Sequence, residues 1–182
     1  MTDQSKLVAD LKVATATFRG LESKIKALAD TARALEDEQS MLIKSAGFED
    51  EKAVNRIASI RVKIELLPHE HARLEKALEP AKHAVNLAAV ALANALIERA
   101  DKEHALAFDR AAKIIMPLCA GDSELAGRLA GQTAVVCRWL QWRGLFSSVT
   151  IDPYRAIPQP EQLLEALPRF ERNESPFQTQ PA

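Results

Sequence analysis

The sequence predicts an all-α protein: a long antiparallel coiled-coil helical hairpin, then a small helical C-terminal head and a disordered tail. Three observations carry this expectation. From Leu7 to Leu42 apolar or small residues recur at three-then-four spacing: Leu7, Leu11, Ala14, Phe18, Leu21, Ile25, Leu28, Ala32, Leu35, then Leu42 after one polar interruption at Gln39. This is the seam of a coiled coil, sustained for roughly five heptads. The same spacing resumes at Ala53 and continues through Ile57, Ile60, Ile64, Leu67, His71, Leu74, Leu78, Ala81, Val85 and Ala88 to Leu92. Only a short turn separates the two stripes, and a helix cannot bury such a stripe alone, so the two zip antiparallel from the turn outwards.

The first helix spans about 4–46. Asp3 or Ser5 supplies an oxygen to cap its start, and Gly47 stands where a left-handed residue would end it. Outside the seam it is charged, and Glu22 with Lys26 forms an i,i+4 pair. Gly20 costs about 1 kcal/mol relative to alanine within a helix, which suggests close approach of a neighbour. Phe48 and its acidic neighbours form the turn, whose carboxylates suit the start of the second helix. That helix spans about 50–116, and pairing from the turn sets Leu42 near Ala53, Leu35 near Ile60, Leu28 near Leu67, Leu21 near Leu74 and Leu7 near Ala88. Pro68 and Pro80 each remove an intrahelical hydrogen bond, so kinks or a short break are expected there. The stripe keeps phase through both, which argues for one bent rod.

His71 sits on the seam and forms His-Glu-His with His69, but residues two apart point to different faces of a helix. The pattern also departs from His-Glu-x-x-His, so a polar register-setting layer is the better reading than a metal site. Past Ala88 the first helix has run out. The stretch 84–97 is apolar almost all round, so either the C-terminal helices or a second copy of the chain must cover it. Pro117 ends the second helix.

Residues 117–167 form the head and 168–182 the tail. Gly121-Asp122-Ser123 reads as a turn and N-cap for a helix running from Glu124 to about Arg143. Gly127 and Gly131 mark tight packing against the alanine-rich stretch. Residues 147–151 alternate and are rich in β-branched residues, which predicts an extended segment. A short helix opens at Pro160, with its proline at a harmless first-turn position, and Pro168 ends it.

Six of the nine aromatic residues follow position 138. Trp139, Trp142 and Phe146 share one helical face, and Arg138 and Arg143 can lie over an indole. Together with Phe48 at the turn, these are the expected partner-binding residues, since Trp and Arg are enriched at hot spots. The competing reading makes the rings the head's own core, and it is the favoured one.

The net charge is −1 and acids alternate with bases, so no basic block forms the footprint of a nucleic-acid binder. No signal-peptide core follows the polar start, and no apolar run reaches the roughly 20 residues of a membrane span. Cys119 and Cys137 lie far apart in apolar helical context, which suits free thiols in a reducing compartment. A soluble, cytoplasmic chain is expected. The sequence contains no phosphate loop, nucleophile elbow, zinc spacing or paired carboxylates, and so offers no catalytic residue, metal ligand or cofactor. The expectation is a non-enzymatic structural or adaptor coiled coil, acting on a protein partner or on itself as a homo-oligomer, with a component of a larger assembly among the roles that fit. A regulatory or nucleic-acid-associated coiled coil is the alternative.

Overall fold

The structure, a computed structural model, describes residues 4–45, 50–151 and 160–176. Among these the protein is all-α, with five α-helices: α1 (Gln4–Ser45), α2 (Glu51–Ile115), α3 (Ser123–Gly131), α4 (Ala134–Ile151) and α5 (Pro160–Glu171), and a 3-10 turn at Met116–Cys119. The two long helices pack together. Phe48 and Gly47 lie outside the described residues, as does the chain beyond Pro176. The chain divides into two compact units, one of residues 13–84 and one combining residues 1–12 with 85–182.

The unit of residues 13–84 consists of the facing parts of α1 and α2. Asp50 caps α2: its Oδ1 accepts the Ala53 N–H at 3.1 Å, satisfying a donor that has no intrahelical partner. Every seam position from Ala14 to Leu42 is at least half-buried, and so is every one from Ala53 to Ala81. Burial is complete only at Ile60, because a helix with one neighbour leaves the flanks of its seam in water. The reading of His71 as part of the seam agrees with its half-burial, and its Nδ1 lies 3.4 Å from Glu75 Oε2.

Two contacts fix the antiparallel register. Arg56 grips Glu38 with two hydrogen bonds of 2.7 and 3.0 Å, and Leu28 shares a cavity wall with Leu67. Both agree with the pairing of Leu35 with Ile60 and Leu28 with Leu67. Helix α2 runs unbroken through Pro68 and Pro80, as the unbroken phase of its stripe requires. Two local expectations fail. Glu22 pairs with Arg19 at 2.8 Å, one turn N-terminal, and not with Lys26. A side chain at Gly20 would meet nothing within 4 Å, so no neighbour approaches there.

In the other unit α2 is enclosed on several sides. Val85, Ala89, Leu92, Ala93, Leu96 and Ala100 are buried, together with Leu11 of α1. Arg99 donates to Gln4 Oε1 at 3.0 Å. Each side chain leans toward the N-terminus of its own helix, which in an antiparallel pair aims the two at each other. Asp122 caps α3, accepting from the Glu124 and Leu125 N–H groups at 3.0 Å each.

The head departs from expectation in three places. The helix predicted from Glu124 to Arg143 is broken at Gln132 and Thr133, because Thr133 turns its hydroxyl onto the Ala130 carbonyl at 2.9 Å and competes with the helical pattern. Residues 147–151, expected to be extended, complete α4. Phe146 and Val149 fall in helical phase with Trp142 and all three are fully buried, while the Ser148 and Thr150 hydroxyls bond back to helix carbonyls. Finally, α5 passes through Pro168 and stays ordered to Glu171, where the sequence predicts a disordered tail. Proline inside a helix costs about 3 kcal/mol. Two residues on, Phe170 is fully buried and meets Trp139, Trp142 and Phe146 edge-on, with centroids 5.1–5.5 Å away. Burying a phenylalanine is worth about 1.5–3 kcal/mol and each aromatic pair about 0.5–1.5 more, so packing outweighs the proline.

Helix α5 ends in a Schellman turn. Asn173 takes the left-handed conformation at φ 50°, its N–H reaches the Phe170 carbonyl, and the Glu174 N–H reaches that of Arg169.

Ile60→Ala should cost about 2–5 kcal/mol in denaturant unfolding, whereas Val62→Ala on the outer face should stay within about 0.5 kcal/mol. Equal losses at the two positions would refute the seam. The Arg56 guanidinium holds the Glu38 carboxyl below the usual carboxylate range, chiefly through their hydrogen bond. A carboxylate lowered by folding adds stability above its ordinary range and loses it as the pH falls through the folded value. Glu38→Gln should therefore lower the melting temperature slightly at pH 7 and leave it unchanged in acid, where the wild-type carboxyl is protonated. A melting difference that persists in acid would show that the ion pair is not its source.

Candidate interaction surface

Along α2 one stripe at four-then-three spacing changes its surroundings. Ala89, Ala93, Leu96 and Ala100 are buried to within 1%. In the same phase Glu103 and Ala107 are half-buried, Arg110 is exposed, and Ile114 is 71% exposed. Leu106 flanks this stretch at 50%. The helix continues without a break, but among the described residues the cover of the stripe thins beyond Ala100, from half-burial at Glu103 and Ala107 to exposure at Arg110 and Ile114.

Neighbouring elements turn this uncovered stretch into one wall of a trough. On an adjacent face of α2, Phe108 lies beneath α3, where side chains at Gly127 or Gly131 would come no closer than 3.9 Å to its ring. The glycines thus face Phe108, about three turns beyond the alanine-rich stretch they were expected to pack on, and the spacing is ordinary contact. The opposite wall comes from Thr133 in the break, from Val135 and Trp139 of α4, and from Asn173 in the Schellman turn. The groove holds about 500 Å³, with Glu103 and Arg110 in its α2 wall. Neither of these two residues forms an ion pair among the described residues.

The residues singled out by sequence are distributed differently. Trp142 and Phe146 are fully buried, stacked on each other at 5.5 Å, and are withdrawn from any surface. Trp139 is 7% exposed, and its edge reaches the groove. The expected cation–π contacts to the indoles give way to one from Arg99 to the Phe170 ring, at 5.2 Å. Arg138 instead reaches the Asn173 carbonyl, and Arg143 pairs with Asp101 at 2.7 Å. Trp142 Nε1 donates to the Glu174 carbonyl at 2.8 Å. The arginines and the indole nitrogen thus clamp the chain after α5 and brace α4 against α2.

Leu106, Ala107, Arg110 and Ile114 were not among the predicted contacts. Their signal was present in the sequence, as a continuation of the four-then-three spacing from Ala89, but it was obscured by the charges between Arg99 and Glu103. Among the described residues no group of three His, Cys, Asp or Glu gathers to hold a metal ion, and no helix is long and apolar enough to cross a membrane. Set against known protein families, curated proteins and solved structures, the chain matches none.

Trp142→Ala should cost about 3–5 kcal/mol in chemical unfolding, as expected for a core indole. Leu140→Ala, at a position 48% exposed on the same helix, should stay within about 0.5 kcal/mol. Comparable small losses at both would return Trp142 to the surface.

Proposed function

We propose that this chain is a non-enzymatic structural or adaptor protein that works by protein–protein association, with the uncovered stripe of α2 and the groove beside it as its docking surface. The observation that carries the reading is the change of cover along one stripe, from fully buried at Ala100 to 71% exposed at Ile114. Apolar surface left in water costs about 25 cal/mol per Å², and a contiguous apolar patch rimmed by polar groups marks a contact site. The trough follows α2 for about three turns from Glu103 to Ile114, which suits an amphipathic helix laid into it.

The test is the size of the native assembly. Ile114→Glu places a charge at a solvent-facing position, so helicity and melting temperature should match the wild type. The assembly containing the chain, sized by gel filtration of a gentle extract, should shrink. An assembly of unchanged size would overturn the reading.

A further inference from the structure

We infer that the occupant of the groove is a second copy of this chain, with the two α2 segments lying antiparallel about a two-fold axis beside Ala107. The inference rests on the reading of the groove as a docking surface and names the partner. Its basis is charge. Glu103 and Arg110 stand seven residues apart on one stripe, two turns of helix and about 10.5 Å. Neither has an ion-pair partner among the described residues, and both line the groove wall. An antiparallel pairing that runs each helix past its copy sets Glu103 against Arg110 of the second copy, and the two-fold axis repeats the contact. A parallel pairing would set Glu103 against Glu103 and Arg110 against Arg110. The stripe is therefore self-complementary in one orientation only, the condition for an isologous interface.

The apolar positions fit the same arrangement. Ala107 is small and lets two helix backbones come close beside the axis. Leu106 and Ile114, the more exposed apolar residues, then lie along the contact and toward its ends. Val135, 44% exposed across the groove, meets the incoming helix from the other side. Apolar burial supplies the affinity, and the two charge pairs choose orientation and register.

Sedimentation equilibrium of the purified full chain, combined with charge reversal, tests this. The wild type should show a monomer–dimer equilibrium. Glu103→Lys alone places only positive charge on the stripe and Arg110→Glu alone only negative, so each should weaken the dimer by about tenfold or more. An equimolar mixture of the two variants should associate more tightly than either one, and both changes in one chain should restore the wild-type affinity. Circular dichroism checks that helicity is unchanged, as expected at half-buried and exposed positions. A wild-type dimer unmoved by either reversal, or a chain that stays monomeric at every concentration, overturns the inference. If the chain is monomeric while Ile114→Glu still shrinks the native assembly, self-pairing falls and docking of a different protein stands. If neither effect is seen, both readings fall.

Discussion

The organisation of this protein follows from one mismatch of lengths. Helix α2 has 65 residues and carries an apolar stripe along most of them, while α1 has 42. Apolar surface on a helix is stable only where something covers it, so α2 must find further cover where α1 no longer reaches. The degree of burial records how each stretch is covered. Where α2 has α1 as its neighbour, seam residues such as Ile57, Ile64 and Leu67 are half-buried. Where several helices enclose it, Leu92, Ala93, Leu96 and Ala100 reach 0%. Past Ala100 the cover given by the described residues thins, from half-burial at Glu103 and Ala107 to exposure at Ile114, and that is where the groove lies.

The hairpin was legible in the sequence because its signal is redundant. Roughly ten positions on each helix repeat one spacing, and any single exception, such as Gln39 or His71, is outvoted by its neighbours. The register followed from the shortness of the turn, and the Glu38–Arg56 pair agrees with it. The head was less legible because single residues decide it. One threonine hydroxyl ends α3, and nothing in the spacing of Leu125, Leu129 and Val136 announces that break. Residues 147–151 read as extended because they are rich in β-branched residues, yet Val149 lies seven residues from Trp142 on the same face, and burial overrode local preference. Phe170 was hidden behind Pro168, a residue that usually ends a helix.

The aromatic face shows why composition alone left two readings of these residues open. Tryptophan beside arginine is the signature of a hot spot, but it is equally that of a small core that must pin down a loop. Here Trp142 spends its N–H on the Glu174 carbonyl, and Arg138 holds the Asn173 carbonyl next to it. Both carbonyls lie just past the end of α5, where backbone groups have no helical partner. The same clamp brings Asn173 into the groove wall, so the packing that removes Trp142 from the surface also shapes the groove.

A charged residue on an apolar stripe separates a core from an interface. A stripe meant to be permanently covered gains from being apolar throughout, as α2 is at Ala89, Ala93, Leu96 and Ala100. A stripe meant for solvent has no use for Ala107 and Ile114 with Leu106 at its flank. Glu103 and Arg110 placed among them form an intermediate case, soluble when open and choosy when covered. The apolar residues favour contact with almost any helix, and the two charges penalise every orientation that does not answer them. Exposed ion pairs contribute at most about 1 kcal/mol each, so they add little to affinity. Reversing the orientation turns each attraction into a repulsion, and that difference is enough to select one partner geometry among several with similar apolar burial. The proposed docking surface thus differs from the seam in kind: the seam holds the fold through burial, and the groove discriminates through charge.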